Sequence, residues 1–195
     1  MTLQQRAGAA VLALVGAVAL MGARHITPTV VLKKQADMIK EAVPASQYFL
    51  KTVKIGKADF RRIRTEGAFD PDEDQVKFYY GRDAGGKVVG VVLFAQDNTQ
   101  HGPLEVGLAF GPDGAITRAV VTKATVETKP WVKTAIDAGL MNRFRGMRPG
   151  DDPQTALRGL SEESLGKMPY YMAGVAATAV QRGLVLYQVL YRTGS

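Results

Sequence analysis

Few side chains in this sequence are suited to chemistry. There is no cysteine, which removes disulfides, thiolate-ligated zinc, iron–sulfur clusters and thiol nucleophiles together. The two histidines, His25 and His101, are far apart and belong to no partner motif, so no histidine-rich metal or haem site is expected. One phosphate-binding pattern comes close. Gly81-x-x-x-x-Gly86-Lys87 has the spacing of a P-loop, but Val88 stands where the magnesium-binding Ser or Thr belongs. The segment also joins two β-rich runs, whereas a P-loop must open a helix. Redox chemistry in such a chain needs a bound organic cofactor or a neighbouring subunit.

The formal charge of +7 is concentrated. Residues 24–64 hold ten basic side chains against Asp37, Glu41 and Asp59, a net of +7. Residues 65–195 carry 14 basic and 15 acidic groups, and Arg6 supplies the remaining positive charge. The basic stretch follows an apolar N-terminus, where lipid headgroups or an acidic partner are the natural counter-charges. Nucleic acid is not expected as a partner, since residues 51–64 offer only Phe60 for base stacking.

These groups must be positioned by an anchor and one domain. Ala7 to Ala23 is a run of 17 uncharged residues, at the short end of the roughly 17–25 that span a bilayer. A cleaved signal peptide is the competing reading, with Ala17-Val18-Ala19 as its cleavage site. The segment is retained from Met1, which favours an anchor over residues 1–25. Loop charges leave its orientation open, because Arg6 argues one way and Arg24, Lys33 and Lys34 the other. An amphipathic linker helix is expected over 26–47, with Thr27-Pro28 as its start, Leu32, Ala36, Ile39 and Val43 on one face, and Pro44 as its stop.

From Tyr48 to Lys123 the pattern turns to strands. Val76–Tyr80 and Val88–Ala95 flank one glycine-rich turn, and Leu104–Phe110 and Ala115–Lys123 flank Gly111-Pro112-Asp113-Gly114. Helical character returns at Trp131–Phe144 and from about Tyr170 to Tyr191. The last helix is apolar, but Gln181, Arg182 and Gln188 interrupt it, so a buried core helix is expected there and not a second span. Strands in the middle with helices at the ends give an α+β domain over 48–195, with helices packed on one antiparallel sheet.

The order of these features resembles the FMN-binding domain of the G subunit of Rnf-type and the C subunit of Nqr-type electron-transport complexes. The resemblance spans nearly the whole chain. It rests on the anchor, the helix ending Val43-Pro44, the strand pair Gly111–Val121, Glu127-Thr128, Asn142–Gly146, and Ala173-Gly174-Val175-Ala176-Ala177-Thr178. In that family a Ser/Asp-Gly-Ala-Thr-x-Ser/Thr motif carries FMN, esterified through its phosphate to the threonine. Gly174 and Thr178 match the motif here, but Ala176 stands at the acceptor position, and a methyl group cannot form a phosphoester. Thr178 is two residues along a helix, about 200° of rotation away. The usual glycine-rich continuation after Glu127-Thr128 is replaced by Lys129-Pro130-Trp131.

The resemblance therefore implies a membrane-anchored accessory subunit of a bacterial respiratory or photosynthetic electron-transfer complex, without covalent flavin and without catalytic or metal-binding residues. The bilayer and the other subunits would be its partners, and the domain would lie on the periplasmic side of the inner membrane. The alternative is an active electron-relay flavoprotein holding FMN noncovalently through Glu127, Thr128, Gly174 and Thr178, with Gly174 near a helix start presenting N–H groups to the phosphate and Trp131 stacking on the ring. The structural readings of the same residues are that Gly174, Ala176 and Ala177 let a helix approach the sheet, that Trp131 is core, and that Glu127 accepts backbone N–H groups.

Overall fold

Two consecutive hairpins require neighbouring antiparallel strands, and the sheet is built outward from them. In the computed structural model, which describes residues 27–192, the fold is α+β: one antiparallel six-stranded sheet and five helices. The strands are β1 (Thr29–Val31), β2 (Gln47–Lys54), β3 (Gln75–Arg82), β4 (Val88–Thr99), β5 (Gly102–Phe110) and β6 (Ile116–Thr125). Their order across the sheet is β1-β6-β5-β4-β3-β2, so β2 and β1 are the edges. The anchor expected over 1–25 lies outside the described residues. Among the described residues no helix is long and apolar enough to cross a membrane.

The expected linker helix is shorter than its amphipathic pattern and starts later. Thr29-Val30-Val31 is β-branched and pairs with β6, Thr29 opposite Thr125 and Val31 opposite Lys123. The helix, α1, runs only from Gln35 to Ala42 and ends before Pro44. The segment thus belongs to the domain: β1 completes the sheet, and α1 covers one face. Met38, Ile39 and Val43 pack there on Val92 and Ala109. Gly81 and Gly90 make this approach possible, since a Cβ at either would meet Val43 side-chain atoms at 2.8 and 2.9 Å.

The other face carries the main core. Residues Lys57–Gly67 form α2, within the stretch whose overall character reads as strand. Asp59 accepts the Gly56 N–H at 3.2 Å at its start, and Ala68 closes it in the left-handed conformation. The expected helix over 131–144 is broken. Lys129–Asp137 is α3, Gly139 adopts φ +81°, and Leu140–Phe144 continues as a 3-10 turn. A second 3-10 turn at Pro153–Leu157 and the short α4 (Glu162–Leu165) cross the following loop.

The terminal helix α5 runs from Lys167 to Leu186 and passes into a π-helical segment, Tyr187–Arg192. It is the buried core helix expected. Ala173, Ala177, Ala179, Val180 and Leu184 are fully buried. The closest approach to the sheet is at Gly183, where a Cβ would meet Leu108 Cδ1 at 2.3 Å. The π segment stacks Tyr187 flat on Phe110, with ring centroids 3.9 Å apart, and turns Tyr191 onto Phe78 at 5.3 Å.

One irregularity divides the sheet. β3 pairs with β4 only from Tyr79 to Arg82, while its first half stays paired with β2 alone. A cleft opens between the departing half of β3 and the outer half of β4. Arg182 of α5 reaches into this region, with Nη2 3.0 Å from Asp97, Nη1 3.5 Å from Asp72 and 3.3 Å from the Gln96 carbonyl, and its guanidinium 5.1 Å from the Phe69 ring. The residue that breaks the apolar pattern of α5 thus helps to tie loop 68–74 to β4, beside the Asn98 amide, which donates to Asp72 at 3.4 Å.

The Gly111–Gly114 turn is held from outside. Asp113 accepts the Ala115 N–H, and Arg148 binds both its carboxylate and its carbonyl. The backbone N–H first, and Arg148 second, hold the Asp113 carboxyl below its ordinary range. Its contribution to stability is therefore present above the ordinary Asp value of about 4 and lost as pH falls through the lower folded value. D113N should flatten the stability profile in that acid window and leave its neutral arm parallel to wild type, as read by urea unfolding at stepped pH.

Candidate functional site

The sequence-selected residues fall in two places. Glu127 and Thr128 form the corner between β6 and α3, and Thr128 is buried by a closed local arrangement. The Thr125 N–H donates to Thr128 Oγ1 at 3.1 Å, the Thr128 N–H donates to Thr125 Oγ1 at 3.2 Å, and the two hydroxyls lie 2.9 Å apart. That reciprocal pair ties the end of β6 to the N-cap residue of α3, without capping the helix's own first N–H groups, and leaves Thr128 no free hydroxyl for a ligand.

Glu127 points outward. It is not an acceptor of backbone N–H groups, as its place before a helix suggests, but lies against a side chain: His101 Nδ1 is 3.0 Å from Glu127 Oε1. The imidazole packs edge-on against Trp131 with centroids 5.3 Å apart, and its Nε2 is 3.2 Å from Gln100 Nε2. The β4–β5 hairpin brings His101 there. Twenty-six positions separate His101 from Glu127, and nothing in the spacing announces the pair. Trp131 is half-buried, with part of its ring on the core.

Gly174 and Thr178 lie together on α5. Gly174 is the eighth residue of this helix and not near its start, because the helix begins at Lys167. Its N–H is inside the helical ladder, and only the first four N–H groups of a helix are free to meet a phosphate. Thr178 Oγ1 donates back to the Gly174 carbonyl at 3.1 Å, which occupies the hydroxyl proton. A Cβ on Gly174 would meet nothing within 4 Å, so this glycine gives no close approach to the sheet; that role belongs to Gly183. Ala176 and Ala177 do face the core, with Ala176 only 2% exposed. Among the described residues, no hydrogen bond, ion pair or ring contact joins Glu127 and Thr128 to Gly174 and Thr178.

The cleft between β3 and β4 has a volume of about 280 Å³ and is lined in part by Tyr79, Phe94, Glu105, Lys123 and Arg182. This is below the roughly 300–1,000 Å³ of pockets that bury a drug-sized ligand. Several of its ionisable groups are engaged, Arg182 with Asp97 and Asp72, while Glu73 and Lys77 on its rim have no ion-pair partner among the described residues. Glu105 accepts from Thr122 Oγ1 at 2.7 Å, Lys123 Nζ at 2.7 Å and Gln35 Nε2 at 3.0 Å. Glu105 is therefore not free for acid–base work, and the remaining carboxylate, Glu73, is exposed. The described residues contain no group of three or more His, Asp or Glu side chains that could hold a metal ion. Of the residues named for the noncovalent-FMN alternative, Thr128 and Thr178 have hydrogen-bonded hydroxyls, and Gly174 has its N–H inside the helical ladder.

The P-loop lookalike is a strand–turn–strand, as its neighbours suggest. Asp83 accepts the Lys87 N–H at 2.9 Å, and Gly81 and Val88 lie within β3 and β4. Comparison with protein-family models, with curated proteins and with solved structures gives no match to this chain.

Proposed function

We propose that the protein is a single-pass, membrane-anchored accessory subunit of a bacterial electron-transfer complex, respiratory or photosynthetic, whose domain retains the shape of an FMN-binding domain without the covalent flavin. The domain serves by its contacts with other subunits, on the periplasmic side of the inner membrane. The observation that carries this reading is the state of Ala176, a methyl group 2% exposed inside the core of α5 and the sheet. It has neither the oxygen for a phosphoester nor the access for an enzyme that would attach one. Thr178 is no replacement, being rotated by about 200° on the helix and bonded to Gly174.

The test is the intact mass of the denatured native protein, its in-gel fluorescence under ultraviolet light, and the absorption spectrum of the folded protein in mild detergent. An unmodified mass with no flavin bands is expected. A mass increment of FMN less water would overturn the reading and identify another hydroxyl as the acceptor. A flavin spectrum that disappears on denaturation would establish the electron-relay alternative, with noncovalent FMN.

A further inference from the structure

The edge strand β2 departs from the way edges are usually protected. Exposed edges are templates for pairing with another chain and are normally short, kinked or covered. β2 has eight residues, and Tyr48, Phe49 and Leu50 are 40%, 38% and 54% exposed in succession. The hairpin β2–β3 also has a one-sided charge. Its strands, Gln47–Lys54 and Gln75–Arg82, contain Lys51, Lys54, Lys77 and Arg82 and no acidic residue. None of these four makes an ion pair among the described residues. Asp83, beyond the end of β3, is turned into its own loop by the Lys87 N–H.

Both faces of the edge set apolar side chains beside a cation, which specifies a ligand. On the α5 side, the Arg82 guanidinium lies 5.2 Å from the Phe49 ring and 5.6 Å from Tyr80, those rings being stacked at 5.3 Å, and Lys51 Nζ lies 5.6 Å from Tyr191. On the α1 side stand Tyr48, Leu50 and Lys54, with the Tyr48 hydroxyl donating to the Val43 carbonyl at 2.9 Å. A strand added beside β2 would place alternate side chains on these two faces. Apolar residues would meet Phe49 and Leu50, and carboxylates would meet Lys51, Lys54 and Arg82.

We infer that β2 accepts an extended, acidic segment of a partner subunit as a seventh strand. This deepens the accessory-subunit reading by naming the chemistry of the partner, and it rests on that reading for the partner's being a subunit. A second copy of this chain is a poorer occupant. Two β2 strands side by side would gather Lys51 and Lys54 of both.

The test uses full-length protein in mild detergent and three fluorescent peptides: one alternating pairs of valine with pairs of glutamate, so that each face carries both residue types, one with lysine in place of the glutamate, and the glutamate peptide with a central proline. Anisotropy should show salt-sensitive binding of the glutamate peptide alone. The K51E/K54E variant, with an unchanged circular dichroism spectrum, should bind it at least ~10-fold more weakly and gain binding of the lysine peptide. Equal binding of the proline-interrupted peptide would reduce the effect to general attraction and overturn strand addition. Self-association through β2 that excludes the peptide would overturn it in favour of a second copy, and binding only to phosphatidylglycerol vesicles through the same lysines would do so in favour of the membrane. Flavin content is measured separately, so this inference and the accessory-subunit reading can fail independently.

Discussion

G183V is expected to lower the stability of the domain by about 3 kcal/mol, at the upper end of overpacking costs. At about 2–4 °C per kcal/mol for a domain of this size, the melting temperature should fall by roughly 6–12 °C. The cause is local. A Cβ at Gly183 would lie 2.3 Å from Leu108 Cδ1, and Leu108, Leu93 and Ala95 are all buried, so a leucine methyl that moves aside must displace other core side chains. G183A should cost less, because the gain in helix propensity of about 1 kcal/mol partly offsets the clash. Gly174 provides the control on the same helix. With nothing near its missing Cβ, G174A should leave stability unchanged or raise it by up to about 1 kcal/mol. Thermal unfolding of the three variants checks the series. A destabilised G174A together with a neutral G183V would mean that α5 packs by a different face.

R182L should cost about 2–4 kcal/mol. Removing one partner of a buried ion pair costs roughly 3–5 kcal/mol, and the arginine keeps some contact with water, which lowers the figure. Its side chain is 21% exposed, and that of Asp97, its nearest partner at 3.0 Å, is 15% exposed. The leucine would leave the Asp97 carboxylate and the Gln96 carbonyl without the arginine donor, and Asp72 with only the Asn98 amide. Adding D97L should restore at least about 1 kcal/mol, since the uncompensated charge disappears with it. Urea unfolding of the single and double variants measures the coupling. Strict additivity would show that the guanidinium acts through its stacking on Phe69 and not through charge.

The hairpins were legible because alternation and turn chemistry agree there: Gly111-Pro112-Asp113-Gly114 is both a turn sequence and the turn observed, with Gly114 at φ +79°. The last helix was legible from its apolar run, and the reading of Arg182 as an interruption and not a membrane charge was sound. Three elements were obscured. In α2 only Ile63 is buried, so a helix with charges on most of its circumference shows no apolar stripe. β1 is three residues long and gets its identity from β6, a partner about half the chain away. The break at Gly139 was masked by apolar residues continuing through Phe144. Of the candidate site, Thr128 and Gly174 were found by motif order, but their roles depend on tertiary partners that order cannot supply. His101 and Glu127 meet only because a hairpin end lies beside a helix start.

The pairing of β1 with β6 also sets an order of assembly. Strands β3 to β6 are joined by tight turns and β2 reaches β3 across α2, so each pairing closes a local loop at modest entropic cost. β1 leaves the ribosome first, yet its register, Thr29 against Thr125, has no template until the other five strands exist. In the anchored protein proposed above, the residues next to the bilayer are thus the last to find their place. The nascent domain would hang from an unpaired tether throughout synthesis, and its seating against the membrane would be fixed only when that final strand closes.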